Sequence, residues 1–513
     1  MLSAFFHGAI NIIAFHARWL CLKPHFYWKL EKIMAPHTFL WHDYETFGLN
    51  PRRDRPAQFA GIRTDADLNE IGEPLMIYCQ PANDYLPDPA SCLLTGITPQ
   101  HCLRHGLAEP EFAARIEEAL AQPGTIGVGY NTIRFDDEFT RFLFWRNLID
   151  PYGREWQNEC GRWDLLDVMR MAYALRPDGI VWPAGADGKA VFRLEELARA
   201  NSLQHETAHD ALSDVRATIA LARLVRAAQP KLFDFCLALH KKARVAAELG
   251  LPARLGTAKP FLHVSGMFAS ERGCLALMFP LATHPANKNE ILAWDLAYDP
   301  SELPLLDVKS LRLRLFSKSA DLPEGVLRLP IKSVHLNKSP MVVRNLDTLS
   351  PEMAARWGID REAARRHAEI AAGLPDMGAI WPAVFQRPRE AAPDVDEDLY
   401  GGFIGDADRK RLNQLRALPA AELMHKRIGF DDERLEELVF RYAARSFPQV
   451  LTADENKRWE AHRTARLLEG EGGARNIDSL FADIDTLAET ADERGEAVLE
   501  ALYEYAESIA PEL

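Results

Sequence analysis

Residues 38–45 read TFLWHDYE, an apolar run that ends in two carboxylates two positions apart, Asp43 and Glu45. Residues i and i+2 of a strand point to the same face, so a strand here carries both acids side by side. Like charges that close destabilise a fold unless cations neutralise them, and a dense set of hard oxygen donors suits Mg²⁺ or Mn²⁺. Alone, such a pair is no more than an acidic strand end. Its meaning depends on the rest of the chain.

C-terminal to this run, strand and helix patterns mix. AQFAGIRT (57–64), EPLMIYCQ (73–80) and TIGVGYN (125–131) have strand character. Apolar spacing predicts helices over 110–122, 135–148, 164–175, 194–200 and 210–228. Strands first, then strands alternating with helices, predict a mixed α/β domain over 37–229. From 230 to 388 the apolar runs are short (FLHVSGMF, LALMFPLA, EILAWDLA, LPIKSVHL) and broken by Pro, Asn and Gly, which predicts a small β-rich domain. Residues 391–513 are helical in pattern, as in LEELVFRYAARSF, KRWEAHRTARLLE and GEAVLEALYEYAESI.

The formal charge of −14 argues at first against a nucleic-acid partner, but it is unevenly distributed. Residues 231–345 carry 16 Lys+Arg against 10 Asp+Glu, whereas 451–513 carry 16 acidic against 6 basic side chains. A basic channel inside an acidic molecule is therefore compatible with the total. The seven cysteines include no C-x-x-C pair, the pattern of reduced thiols in a cytoplasmic protein rather than of a disulfide framework or zinc site. MLSAFFHGAINIIAFHA (1–17) has no charged side chain, but His7, Gly8, Asn11 and His16 interrupt it. A membrane span needs about 20 apolar residues, and a secretory signal needs basic residues before its apolar core. Residues 1–36 are read as an N-terminal extension without assigned function, and no membrane partner is expected.

Two later elements change the weight of the acidic pair. Asp136 lies in YNTIRFDD, where a strand gives way to a helix, and Asp214 lies in HDALSD, five residues after His209. Each has an ordinary explanation: an acid complementing a helix N-terminus, a capping or surface histidine, and Asp210 competing with Asp214 as ligand. Four acids and a histidine in this order on these elements resemble the DEDD exonuclease superfamily, in the subclass with a histidine five residues before the last aspartate. The resemblance implies an RNase H-like domain in which Asp43, Glu45, Asp136 and Asp214 hold two metal ions, Mg²⁺ or a substituting Mn²⁺. It makes His209 the general base toward the attacking water.

Longer segments are more specific. FLWHDYETFGLNPRRDRPAQFAGIRTD, LLTGITPQ, GYNTIRFDDEFTR, RWDLLDVMRMAYALRPDGI, FRLEEL and AHDALSDV, with HVSGMF, KSVHLNKSP and LVFRYAARSFP further on, resemble the bacterial exodeoxyribonuclease I family. This implies an exonuclease domain (37–229), an SH3-like β-barrel domain (230–388) and a C-terminal helical domain (391–513) in a C-shaped clamp around single-stranded DNA. The implied activity is release of 5′-mononucleotides from the 3′ end, with a role in DNA repair and recombination. Gripping a strand without reading sequence requires cations along the phosphates and aromatic faces for the bases. The resemblance places Arg141, Tyr152, Trp156, Arg170, Arg176 and Phe192 along that path, followed by Phe235, Lys242, Asn289, Lys332 and Arg344. It puts Arg193 near the terminal nucleotide and the backbone amides of Thr46 and Phe47, beside Glu45, at the 3′ end. The tail of single-stranded-DNA-binding protein is an implied partner, and a monomer is expected. An RNA-directed relative, usually a single domain, and a non-catalytic clamp are the competing readings.

Overall fold

The computed structural model describes residues 37–203, 210–252, 255–386, 393–423 and 428–512. The N-terminal extension, 1–36, lies outside the described residues, as does His209. The first domain runs β1 (Thr38–Thr46), β2 (Pro56–Thr64), β3 (Leu75–Tyr78), α1 (Pro89–Thr95), α2 (Pro99–His105), α3 (Glu109–Leu120), β4 (Thr125–Gly129), α4 (Asp136–Arg146), β5 (Gly161–Asp164), α5 (Leu165–Leu175), α6 (Leu194–Ala200) and α7 (Ala211–Ala228). Its sheet has the order β3-β2-β1-β4-β5. The β1–β2 and β2–β3 pairs are antiparallel, whereas β1–β4 and β4–β5 are parallel, so the sheet is mixed.

β1 is the central strand, and its pairing with β4 stops at Trp41↔Val128. β4 ends where Asn131 turns into the left-handed region (φ 69°), which is why the strand pattern over 125–131 closes two residues early. The end of β1 that carries Asp43 and Glu45 therefore projects past its parallel neighbour, with backbone groups no longer taken up by that ladder. Trp41, Phe39 and Trp163 anchor the strands in a core in which all three are completely buried.

The second domain contains α8 (Pro230–Ala238), α9 (Lys242–Leu249), β6 (Phe261–Val264), β7 (Leu275–Thr283), β8 (Glu290–Asp295), α10 (Val308–Phe316), β9 (Ile331–His335), β10 (Met341–Val343), α11 (Pro351–Arg356), α12 (Arg361–Ala372) and α13 (Trp381–Phe385). Its five strands are antiparallel in the order β10-β6-β7-β8-β9. Pro280, which cannot donate to a ladder, sits at the irregularity between Pro280 and Ala282 in β7. The β-rich expectation is met by this five-stranded sheet, and the helices before, between and after the strands, which the short apolar runs did not reveal, hold more residues than the strands do.

The third domain is helical: α14 (Asp406–Arg416), α15 (Ala420–Leu423), α16 (Arg434–Ser446), α17 (Ala453–Leu467), α18 (Ile477–Ala488) and α19 (Glu493–Ile509). It packs on the first domain at two apolar contacts. Phe142, Trp145 and Leu148 meet Leu399, Leu412, Leu435 and Leu438, and Phe47, Tyr85 and Leu86 meet Leu480, Leu499 and Leu502. Buried ion pairs join the same faces: Arg445 Nη2 lies 2.8 Å from Asp84 Oδ2, and its Nη1 donates to Asp396 Oδ1 at 3.1 Å. The six described cysteines are all free and buried. Among the described residues, no helix is long and apolar enough to cross a membrane.

Candidate active site

The projecting end of β1 places Asp43 and Glu45 on one face, and the first turn of α7 brings Asp214 to them. Carboxylate oxygens of Asp43, Glu45 and Asp214 lie within 4.8 Å of one another. Asp136, first residue of α4, joins from the side: its Oδ1 accepts the Tyr44 N–H at 3.1 Å, one of the backbone groups that the parallel ladder leaves over. Asp210 has a different task. Its carboxylate accepts the Ser213 N–H at 3.2 Å and caps α7, which leaves Asp214 as the acid in the cluster.

The electrostatics are those of a site built for cations. Burial, then the charges of Asp136, Glu45 and Asp214, push the Asp43 carboxyl well above the usual carboxylate range. Glu45 is pushed up to about 7 by burial and by Asp214 and Asp210, and Asp136 to about 8, chiefly by burial and by Asp137. Among the described residues no Arg or Lys forms an ion pair with Asp43, Glu45 or Asp136, although arginines neutralise many other buried acids here. Four oxygen-donor side chains in one cluster, three of them with no paired Arg or Lys among the described residues, fit hard divalent ions.

The remaining expected residues fall into groups. Trp156 is 64% exposed and lines a cleft of about 430 Å³ between the first and third domains, with Tyr152, Phe403, Arg409 and Lys410. Arg193 is exposed at the start of α6, and the Tyr130 hydroxyl holds the carbonyl of Phe192 beside it at 2.5 Å. Phe192 packs edge-on against Tyr173, and Arg170 is paired to Asp167 at 2.6 Å. Arg176 donates to the Thr348 carbonyl at 3.2 Å. Lys242 is hydrogen-bonded to the Asn289 side chain, Phe235 lies under Arg244, Lys332 is half-buried on β9, and Arg344 is exposed just after β10.

Two placements differ from simple expectation. Arg141 is nearly buried, and its guanidinium bonds Glu155 at 2.7 Å and Glu138 at 2.8 Å. The Phe47 N–H already donates to the Arg55 carbonyl at 2.9 Å, so this amide has no proton to offer a 3′ terminus in this conformation. Thr46 is buried, with its hydroxyl donating to the Gly48 carbonyl at 2.7 Å. Sequence reasoning missed Asp137, Arg154 and Arg162, which form a buried ion-pair group directly behind Asp136. The D-D-E run at 136–138 was the available signal.

Comparison with known proteins agrees with this geometry. Three family models match the chain: Exonuclease over residues 40–222, Exonuclease I SH3-like domain over 240–387 and Exonuclease I C-terminal domain over 393–509. Exodeoxyribonuclease I of Escherichia coli is 45% identical over 483 residues, which cover 92% of this chain and 98% of that protein. Among solved structures, exonuclease I from Methylocaldum szegediense superposes with a TM-score of 0.87 at 48% identity, covering 92% of this chain and 99% of that one. E. coli exonuclease I in complex with a dA16 oligonucleotide gives 0.86 at 44% identity, covering 92% and 100%. An ExoI/SSB-Ct complex gives 0.86 at 43%, covering 93% and 100%. A mixed sheet that gathers four acids at the end of its central strand, followed by these two further domains, makes the chain a member of the exodeoxyribonuclease I family.

Proposed function

We propose that the protein digests single-stranded DNA from the 3′ end, releasing 5′-mononucleotides, with Asp43, Glu45, Asp136 and Asp214 holding two Mg²⁺ ions and Mn²⁺ able to substitute. The observation that carries the proposal is the convergence of Asp43, Glu45 and Asp214 within 4.8 Å, with Asp136 beside them and no cation of the protein paired to Asp43, Glu45 or Asp136 among the described residues. Two divalent ions, when bound, lower the pKa of the attacking water and offset charge on the incoming and departing oxygens.

The side chains of this chain do the rest. His209 takes the proton of the attacking water, a role suited to an imidazole near neutrality. In the sequence it directly precedes Asp210, the N-cap of α7, and this order supports that assignment. Arg193 meets the terminal phosphate. The exposed Trp156 face and its neighbour Tyr152 offer stacking platforms worth about 1–3 kcal/mol per base. Such contacts hold a strand without selecting its sequence, and the basic second domain continues them through Lys242, Lys332 and Arg344.

The complexes of exonuclease I with dA16 and with SSB-Ct support single-stranded DNA and the tail of single-stranded-DNA-binding protein as partners. Family membership supports a role in repair and recombination, carried out in the cytoplasm. Competition between DNA and RNA oligonucleotides of one sequence, each with a free 3′ end, tests the substrate. Preferential digestion of DNA is expected, and preference for RNA would favour an oligoribonuclease-like reading instead.

A further inference from the structure

Asp136, Asp137 and Glu138 are consecutive on the first turn of α4. Successive residues of a helix point about 100° apart, so the three carboxylates leave in three directions. Asp136 faces the acidic cluster. Asp137 is 1% exposed, with Oδ1 2.5 Å from Arg154 Nη2 and Oδ2 3.2 Å from Arg162 Nη1. Glu138 accepts from Arg141 at 2.8 Å and from the Tyr400 hydroxyl, and it lies 3.9 Å from Lys338 Nζ.

These ties lead into the other two domains. Arg162 donates through Nη2 to the Asn337 carbonyl at 3.1 Å, and its own carbonyl accepts the Ser339 hydroxyl at 3.1 Å. Asn337, Lys338 and Ser339 belong to the loop that joins β9 to β10 in the second domain. Tyr400 belongs to the start of the third. The turn that carries one metal ligand is thus bonded, through its next two residues, to both domains beyond the nuclease fold.

We propose that Asp137 is a positioning residue for the metal site, and that Asp137 with Glu138 makes the first turn of α4 the node through which the second and third domains fix Asp136. The inference rests on the nuclease reading of the acidic cluster. An acid that only complements the helix dipole can remain solvated and needs no partner. A buried carboxylate held at both oxygens by two arginines is costly to desolvate and is fixed in place. It sets the rotation of the helix start about its axis. Adjacent Cα atoms are about 3.8 Å apart, so a slip at Asp137 moves Asp136 with it. A misplacement of about 1 Å can cost about 100-fold in rate.

The test uses the full chain with Asp137→Asn, Arg162→Lys and Ser339→Ala, none of which alters a metal ligand. Arg162→Lys keeps the charge but cannot bridge Asp137 and the Asn337 carbonyl together. Mn²⁺ affinity without DNA, followed by electron paramagnetic resonance, is read beside kcat, KM and the Mg²⁺ concentration for half-maximal activity. Asp137→Asn is expected to weaken Mn²⁺ binding about tenfold or more and to lower kcat about 10- to 100-fold. KM for DNA should stay within about twofold, with partial recovery at high Mg²⁺. Arg162→Lys and Ser339→Ala should shift the same metal-linked parameters by smaller factors. Unchanged Mn²⁺ affinity in folded variants, or a loss confined to KM or thermal stability, overturns the proposal. If Asp137→Asn fails to fold, Arg162→Lys decides by the same criteria. Absence of Mg²⁺-dependent digestion by the wild-type protein would instead overturn the nuclease reading.

Discussion

Replacing Asp43 with Asn should reduce Mg²⁺-dependent digestion by about a thousandfold or more, roughly 4 kcal/mol of barrier, while leaving strand binding nearly intact. Asn keeps the shape of the side chain but removes the charge at the centre of the cluster, where Asp136, Glu45 and Asp214 all oppose it. The metal-free variant should be no less stable than wild type, because three like-charge repulsions go with that carboxylate. Mg²⁺ should raise the wild-type unfolding temperature, as any ligand selective for the native state does, and should raise that of Asp43→Asn far less. Single-turnover digestion, oligonucleotide binding and thermal scans with and without Mg²⁺ check the three parts. Loss of binding together with activity would indicate misfolding.

The second large effect concerns how the third domain is held. Arg445 bridges Asp84 of the first domain and Asp396, and all three side chains are buried. Arg445→Ala removes one side of the arrangement and leaves two carboxylates out of water, which costs about 3–5 kcal/mol. Arg441, 3.5 Å from Asp396, and His462, 3.6 Å from Asp84, replace only part of it. Calorimetry should show the third domain's transition moving to lower temperature. The pH dependence has a definite sign. The Arg445 guanidinium holds both carboxyls well below the ordinary range, against the opposing effect of burial. Their contribution is therefore complete above the unfolded value near 4 and is lost as pH falls below it. The difference between wild type and Arg445→Ala should be full at pH 7 and should narrow below about pH 4. A constant difference down to pH 3 would contradict the assignment.

Long periodic elements were legible from the amino-acid order. The helix read over 194–200 spans Leu194–Ala200, and that read over 210–228 spans Ala211–Ala228. β5 escaped because four fully buried residues, GRWD, have no alternation to detect. α1 and α2 are seven residues each, too short for an apolar stripe, although Asp88-Pro89 and Thr98-Pro99 are cap-and-proline starts that mark them. The second domain's helices were hidden behind the strand-like runs that flank them. In the site, spacing along β1 and the order of acids carried Asp43, Glu45, Asp136 and Asp214. The role of Asp137 was not legible, because its partners Arg154 and Arg162 come from beyond α4 and meet it only through the fold. Nor could sequence show that the Phe47 amide is bonded to Arg55.

The most direct test of the central claim is digestion of a single-stranded DNA oligonucleotide labelled at its 5′ end, with Mg²⁺ and then with chelator. A ladder of labelled products shortening from the 3′ terminus, present with Mg²⁺ and absent with chelator, is the expected result. Immediate release of labelled mononucleotide, or a ladder unaffected by chelation, would contradict a metal-dependent 3′→5′ exonuclease built on these four acids.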